Sequence, residues 1–237
     1  MIVNASENPK RFEEIIKYSD FLGQKIYADY ISHQLKETNS FYVLENSAFM
    51  MSGTNITLCG NPSEDELEEI LMFCNFCGIR SIESQIPGLP MNVDKVLRIM
   101  EHIADDEVMS EEIIKNEDMY SFIKFCCRNF HGINFDVVYS NFTRKLNTGI
   151  TNIYYLKKGD KIVSGAITTL YSDDTVYITF VSTAPEFRKN GLAAQVIKHI
   201  VADNKGKKVI LKCEDTLKSF YENLGFTEIG TVKLYKE

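Results

Sequence analysis

Apolar and polar positions in residues 106–237 follow helical and strand periods in a regular order. The pattern predicts helix, helix, strand, strand, strand, helix, strand, helix and one or two closing strands. Lys158-Gly159-Asp160, between the first two strands, favours a hairpin turn. The predicted spans are, in order, 116–130, 135–146, 153–157, 161–170, 176–181, 192–202, 208–213, 217–224 and 228–235.

Residues 1–105 show a weaker version of the same layout. Helices are predicted over 11–35, 64–77 and 93–102, and strands over 41–45, 49–59 and 79–84. Many α/β arrangements share this element order, so a degenerate second copy of the C-terminal fold is a hypothesis. We expect an α/β N-terminal domain over 1–105 and a second domain over 106–237.

Net charge separates the two halves. The 237-residue chain carries 26 Lys and Arg and 33 Asp and Glu, which gives a net charge of −7. Residues 1–105 hold 8 basic and 16 acidic side chains (−8), and residues 106–237 hold 18 and 17 (+1). Because phosphate backbones are bound by a basic face, nucleic acid is not expected as the main partner.

No segment indicates a membrane or an export signal. No apolar run approaches the ~20 residues that span a bilayer. Residues 1–10 lack the basic-then-apolar pattern of a signal peptide. The composition, 44% hydrophobic and 25% charged, is that of a globular protein. We expect a cytoplasmic protein with no membrane partner.

The six cysteines show no disulfide framework. Cys74 and Cys77 have the only metal-like spacing, and zinc would need a second pair of Cys or His ligands. Both cysteines lie in a helical pattern, which favours buried, small hydrophobic side chains. We expect no metal site. Cys213, in a buried type of strand with no histidine nearby in sequence, is not expected to be a nucleophile.

The segment 181–193 carries the most information about function. An apolar strand over 177–181 enters a turn at Pro185, the motif RKNGLA follows at 188–193, and a helix begins at once. This order directs several backbone N–H groups to one point at a helix N-terminus, where the macrodipole favours an anion. Taken alone, the motif is explained about equally well by an ordinary strand–turn–helix connection.

A second motif, FYENLGF, lies farther along the same half at 220–226. Together, and in this element order, the two motifs resemble those of the GCN5-related N-acetyltransferase (GNAT) superfamily, whose loop motif is Q/R-x-x-G-x-G/A. The resemblance implies an α/β (α+β) fold in which a mixed, mostly antiparallel sheet is flanked by helices. A degenerate GNAT-like repeat in the smaller N-terminal domain is a hypothesis. The implied activity is transfer of an acetyl group from acetyl-CoA to a primary amine.

The resemblance also assigns cofactor-binding residues. Gly191 would let backbone N–H groups approach the pyrophosphate without a Cβ in the way, and Arg188 and Lys189 would add positive charge. Main-chain groups of Val181 and Thr183 would pair with the pantetheine arm where their strand separates from its neighbour. The complete predicted set is Val181, Ser182, Thr183, Arg188, Lys189, Asn190, Gly191, Leu192, Ala193 and Ala194.

Tyr221 falls at the family's usual general-acid position. There its phenol would protonate the CoA thiolate as it leaves. The alternative is a core tyrosine that packs beside Phe220. The resembled enzymes transfer the acetyl group by direct attack of the amine, without an acyl-enzyme.

The general base is open. The strand over 176–180 has no carboxylate at the place where the family often has a glutamate. Glu214, at the end of the next strand, is the catalytic candidate, and Asp215 is its rival. Either carboxylate could accept the proton through water or simply cap the following helix. Asp215, or Thr216 in its place, is more simply explained as the cap of the following helix. His131 is a loop histidine near the expected acceptor pocket, where a surface position is the simpler explanation.

The N-terminal half lacks an equivalent phosphate site. Its helix over 64–77 opens with SEDE at 63–66, a capping-box sequence whose carboxylates stabilise the helix but would repel a pyrophosphate. The second half therefore holds the single expected CoA site.

The sequence leaves open whether the protein is an enzyme, which amine it acetylates and how it assembles. The protein could be a non-catalytic acyl-CoA-binding sensor, or could recruit a partner through its acidic half. The acceptor is a small-molecule or peptide amine, and the acidic half either attracts a cationic amine or is simply solvated surface. The assembly is a monomer or a homodimer.

Overall fold

The computed structural model of the chain describes residues 1–32, 39–103, 112–130 and 134–236. The chain divides into two compact units, Met1–Arg98 with Gly230–Glu237, and Ile99–Ile229. The domain boundary predicted between 105 and 106 lies outside the described residues, as does His131, so both stay predictions. Across the part of the chain that is described, no helix is long and apolar enough to cross a membrane.

The first unit is a mixed sheet with three helices among its described residues. Its elements are β1 (Val3–Asn4), α1 (Pro9–Tyr18), α2 (Phe21–Ser32), β2 (Ser40–Val43), β3 (Ser47–Ser52), β4 (Asn55–Gly60), α3 (Glu64–Cys77), β5 (Ser81–Ser84), the first part of β6 (Asn92–Ile103) and most of β12 (Thr227–Lys236). The strand order is β1-β2-β3-β4-β5-β12. β4 and β5 pair in parallel, and the other neighbours are antiparallel.

The second unit has the sheet and helices that the sequence predicts for it. Its further elements are β7 (Ile114–Lys115), α4 (Met119–Asn129), α5 (Phe135–Asn147), β8 (Thr151–Lys158), β9 (Lys161–Ser172), β10 (Thr175–Thr183), a 3₁₀ turn (Pro185–Phe187), α6 (Leu192–Asp203), β11 (Lys208–Cys213), a second 3₁₀ turn (Asp215–Leu217) and α7 (Lys218–Glu222). The strand order is β6-β11-β10-β9-β8-β7, with β10 and β11 parallel and β7 to β10 antiparallel. The prediction of a mixed, mostly antiparallel sheet is confirmed.

The two units share one element order. Each has two helices, three antiparallel strands, a helix, and a strand that pairs in parallel with the third strand. This common order supports the hypothesis that the first unit is a degenerate repeat of the second.

The prediction of a helix over 93–102 is wrong, because these residues form part of the strand β6. Apolar residues in this stretch happen to recur at helical spacing, but Val93, Val96, Ile99 and Ile103 are β-branched and favour a strand. Pairing with neighbouring strands decides between the two, and that pairing is a tertiary interaction.

Other predicted elements differ in their bounds. The single strand expected over 49–59 is the hairpin of β3 and β4, which turns at Gly53 with a φ of +58°. The helix expected from residue 11 onward is two helices, because the Asp20 carboxylate accepts a hydrogen bond from the Gly23 N–H (3.0 Å) and starts α2. Of the two cysteines expected to be buried, Cys74 is buried and Cys77, at the last position of α3, is exposed.

Helices cover both faces of the second unit's sheet. On one face α6 packs its buried side chains against strand residues from β8, β10 and β11, namely Tyr154, Ile178 and Leu211. On the other face α4 and α5 pack against Ile153, Tyr155 and Ile167. Successive side chains along each strand point to opposite faces of the sheet, so the sheet contributes to two separate cores, one under each helical layer.

A polar cluster joins the end of α6 to the sheet. The Tyr154 hydroxyl donates to Asp203 Oδ2 at 2.6 Å, and Lys115 Nζ lies 2.7 Å from the same oxygen. Burial opposes ionisation of Asp203, but these two donors outweigh it and hold the pKa of the carboxyl below its usual value. The cluster ties α6 to β7 and β8.

Replacement of Tyr154 by Phe should reduce the free energy of unfolding by about 1–2 kcal/mol, because Asp203 loses a charge-assisted hydrogen bond while Lys115 remains. Urea denaturation of both proteins measures the difference. Tyr120→Phe, at a side chain that is 51% exposed, is the control and should change stability by less than about 0.5 kcal/mol. Equal stability of Tyr154→Phe and the wild type would contradict the expected role.

Candidate functional site

The candidate site lies where β10 and β11 separate. Their parallel pairing runs from Thr175 opposite Lys208 to Ile178 opposite Leu211. β10 continues to Thr183 and β11 to Cys213, but the described pairing between them stops at Ile178. The facing backbone edge of β10 beyond Ile178 therefore has N–H and C=O groups for which β11 provides no ladder partner.

A β-bulge bends β10 at the same place. The antiparallel register with β9 shifts between Thr179 and Ser182, so Phe180 and Val181 together lie opposite one residue of β9. Phe180 has a φ of +52°, in the left-handed region that residues other than glycine rarely adopt. A bulge of this kind bends its strand, and here it lies just beyond the last described pair between β10 and β11.

The loop after β10 ends at an uncapped helix. Lys189 and Gly191 have φ angles of +63° and +74°, and Gly191 is the N-cap of α6. No side chain accepts a hydrogen bond from the first turn, and the earliest helical bond runs from the Gln195 N–H to the Gly191 carbonyl (3.0 Å). The first N–H groups of a twelve-residue helix thus face outward with the positive end of its macrodipole.

Side chains of the loop brace its own backbone. Arg188 Nε donates to the Thr183 carbonyl at 3.1 Å, and Asn190 Nδ2 donates to the Phe187 carbonyl at 3.3 Å. Both side chains are exposed, as is Lys189. Arg188 therefore holds the loop to the end of β10 and keeps a positive charge beside the helix N-terminus.

A cavity of about 400 Å³ extends along this opening. It is lined by Val181, Thr183, Phe187, Arg188, Lys189, Gly191, Leu192, Ala193, Ala194, Leu217, Phe220 and Tyr221. Most of the predicted cofactor-binding residues and Tyr221 thus surround one space. Three predicted residues do not line it: Ser182 is buried and its carbonyl accepts from Ser164, and Asn190 and Glu214 are exposed.

Three lining residues were not predicted from sequence. Phe187, Leu217 and Phe220 form an apolar side of the cavity. Leu217 is 47% exposed, so part of its apolar surface is open to the cavity and to solvent. The signal in the sequence is that these residues directly flank the two motifs, but only the folded chain shows that they face the same space.

Tyr221 is the buried residue of α7. It is 4% exposed, and its ring packs edge-on against Phe220 and Phe226 at centroid distances of 5.0 and 5.8 Å. Burial raises the pKa of the Tyr221 phenol, and interactions with Cys213 and Tyr177 raise it further. The hydroxyl therefore stays protonated at neutral pH, which is the form that can donate a proton.

The other catalytic candidates lie outside the cavity lining. Glu214 and Asp215 are exposed, and they flank the start of the 3₁₀ turn that precedes α7. The helix cap predicted for Asp215 or Thr216 is not found, because no side-chain hydrogen bond caps this turn or α7. The turn separates these residues from the helix they were expected to cap. Cys213 is buried.

The helix of the first unit that corresponds to α6 has a closed N-terminus. The Ser63 hydroxyl accepts from the Glu66 N–H (3.3 Å), and the Glu66 carboxylate accepts from the Ser63 N–H (3.1 Å). Glu66 also accepts from the Asn46 N–H at 2.8 Å. The capping box predicted for α3 is thereby confirmed. The Glu66 carboxylate thus lies where an anion would bind, and Glu64 and Asp65 add negative charge to the same turn.

No group of three or more His, Cys, Asp or Glu side chains that could hold a metal ion occurs in the described parts of the chain. The expectation that the protein needs no metal stays a prediction.

Comparison with known proteins identifies the family. A family model described as "Acetyltransferase (GNAT) domain" matches residues 94–236. A search of curated proteins finds no significant match. Among solved structures, a GCN5-related N-acetyltransferase from Kribbella flavida superposes with a TM-score of 0.64 at 15% identity, over 90% of this chain and 95% of that one. An acetyltransferase of the GNAT family from Colwellia psychrerythraea gives 0.63 at 12% identity over the whole of both chains.

At these identities the solved structures establish the fold alone. The family match, in contrast, covers more than half of the chain and includes both the loop at α6 and the FYENLGF motif. The protein belongs to the acetyltransferase (GNAT) domain family.

Proposed function

We propose that this protein transfers an acetyl group from acetyl-CoA to a primary amine by direct attack. The observation that supports this most strongly is a single cavity that combines the free edge of β10, the uncapped N-terminus of α6 and the buried Tyr221 hydroxyl. Each of the three has a separate part of acetyl-CoA to bind or to react with.

The proposed cofactor contacts follow from the chemistry of the lining. The pyrophosphate would accept hydrogen bonds from the first N–H groups of α6, with Arg188 and Lys189 adding positive charge. The amides of the pantetheine arm would complete the broken ladder along Val181 and Thr183. Apolar side chains such as Leu217 would cover the arm and lose their exposure to water.

The proposed reaction has a balanced set of steps. The neutral amine nitrogen attacks the thioester carbonyl carbon, and a new C–N bond forms. The C–S bond then breaks, and the Tyr221 phenol gives its proton to the departing thiolate. The proton lost by the amine nitrogen passes to water or to a base, and the phenol is restored from solvent. The products are the acetylated amine and CoA.

Glu214 is the proposed base, acting through water. Its carboxylate is exposed at the end of β11, beyond the point where β11 leaves β10. The described residues of β10 offer no carboxylate that could take this role directly. Glu214→Gln therefore tests the base separately from the acid.

Two further expectations from the sequence stay predictions: a cytoplasmic location, and assembly as a monomer or a homodimer.

Gly191→Glu should weaken acetyl-CoA binding at least about 100-fold, because a carboxylate at the N-cap of α6 repels the pyrophosphate and takes its place. Isothermal titration calorimetry measures the affinity. Gly159→Glu is the matched control, since Gly159 also has a positive φ (+58°) and open space around its Cβ but lies outside the cavity lining. Unchanged binding after Gly191→Glu would contradict the proposed pyrophosphate site.

Tyr221→Phe should lower kcat by about 10²–10⁴-fold and leave acetyl-CoA affinity nearly unchanged, because the variant loses only the proton donor. Release of CoA, followed with a thiol reagent over a panel of amines, measures the rate. Tyr120→Phe, at an exposed position on α4, is the control. A wild-type protein that binds acetyl-CoA but acetylates no amine would favour the sensor function.

The pH profile should show one ascending limb. The Tyr221 phenol has a folded pKa above its ordinary value of about 10, so it stays protonated as pH rises from 6 to 10. Activity should therefore rise while the acceptor amine or the base loses its proton, with no fall below pH 10. Steady-state kcat/KM over this range checks the shape. A descending limb between pH 7 and 9 that disappears in Tyr221→Phe would contradict it.

Glu214→Gln should lower kcat/KM about ten-fold at neutral pH and less at pH 9, where more of the amine is already deprotonated. The ratio of wild type to variant, measured across pH with one acceptor, tests this. Asp215→Asn, at the adjacent exposed carboxylate, is the control. A constant ratio across pH would exclude Glu214 as the base.

A further inference from the structure

An aromatic cluster borders the opening of β10 on the face opposite the cavity. The centroid of the Phe180 ring lies 5.6 Å from that of Phe130 and 5.5 Å from that of Phe142. The interplanar angles are 79° and 87°, so both contacts are edge-on. Phe142 is buried, whereas Phe130 is 36% exposed and Phe180 is partly exposed. The cluster therefore presents ring surface to solvent.

The backbone at Phe180 has a conformation that favours glycine, yet the residue carries an aromatic ring. Its φ of +52° is unfavourable for a side chain of this size. In the first unit, Gly60 occupies the same place, the second residue after the last parallel pair, and has a φ of +92°. Glycine meets this conformational requirement without strain. The second unit keeps a phenyl ring at the corresponding position despite the strain.

The position of the ring matches the approach of an acceptor. Phe180 belongs to the core of α4 and α5, whereas the next residue, Val181, packs with α6 and lines the cavity. A bound cofactor would fill the α6 side of the opening. An amine that attacks the thioester directly must then come from the other side, which is the side of Phe180.

Further rings lie along the same strand face. Tyr177 alternates with Ile178, which belongs to the α6 core, and so lies on the α4 and α5 face. It stacks on Tyr171 with centroids 4.9 Å apart. No residue of β10 is acidic, so this strand offers no carboxylate to the several ammonium groups of a polyamine.

We infer that Phe180 and Phe130 form an apolar wall of the acceptor site, and that the acceptor is a primary amine attached to an aromatic or aliphatic group. This inference rests on the proposed transferase function. The reaction is the one given above: the amine nitrogen gains the acetyl group, and CoA leaves as the thiol. The wall selects the acceptor by burying its apolar substituent, and Phe180 acts as a specificity residue.

The test compares amines of different polarity. Acetylation of 2-phenylethylamine and hexylamine is measured beside that of spermidine and glucosamine, with purified full-length protein and product detection by mass spectrometry. We expect kcat/KM for the two apolar amines to exceed that for the two polar amines at least about ten-fold.

Phe180→Gly isolates the ring, because glycine removes it and relieves the backbone strain. The variant should raise KM for 2-phenylethylamine about ten-fold or more, and its loss of kcat/KM should be several-fold larger for 2-phenylethylamine than for glucosamine. Phe180→Leu keeps an apolar side chain, so its KM for hexylamine should be closer to the wild-type value than that of Phe180→Gly. Tyr120→Ala, in a separate ring cluster on α4, is the control and should alter no acceptor preference.

The outcomes separate this inference from the proposed function. A wild-type protein that binds no acetyl-CoA, or acetylates none of the amines, overturns the proposed function and the inference with it. Turnover in which spermidine or glucosamine equals or exceeds the apolar amines overturns the inference alone. An equal loss for apolar and polar amines in Phe180→Gly also overturns it, because that result indicates a structural role.

Discussion

The separation of β10 from β11 after Ile178 is the constraint on which the rest of the site depends. A parallel pair that continued to the ends of both strands would satisfy the backbone of Val181 and Thr183 within the sheet. Because it stops, that backbone edge faces a cavity, and the loop after it delivers the N-terminus of α6 to the same space. The bulge at Phe180 lies at the same place, where β10 bends and its described pairing with β11 has ended.

Comparison of the two units shows how little chemistry distinguishes a binding helix from a structural one. Both units place a helix after the third antiparallel strand. In the first unit, the Ser63 hydroxyl accepts from the Glu66 N–H, the Glu66 carboxylate accepts from the Ser63 N–H, and the acidic side chains of the first turn add negative charge. In the second, Gly191 caps the helix with no side-chain acceptor, and two basic residues precede it. The positive end of the helix dipole thus meets the protein's own carboxylates in one unit and is available to an anion in the other.

Burial and strain shape the two sides of the opening differently. On the α6 side, burial keeps the Tyr221 phenol protonated, which suits the proposed proton donor. On the other side, Phe180 holds an aromatic ring in a left-handed backbone conformation that glycine would adopt more easily. The backbone conformation of Phe180 opposes the ordinary preference of the residue, whereas a protonated phenol is the ordinary form of tyrosine at neutral pH. A backbone departure of this kind is frequent at sites where a side chain has a chemical or binding role.

The sequence by itself determined the family, the sheet class and most of the cavity lining, because RKNGLA and FYENLGF are local motifs whose residue types carry their own chemistry. It also determined the capping box of α3, which forms within four consecutive residues. Only the tertiary structure decided that residues 92–103 are a strand, that Leu217 and Phe187 face the cavity, and that Glu214 lies outside its lining. These features depend on which strands pair and where pairing stops. Such contacts join residues far apart in sequence, and no local pattern encodes them.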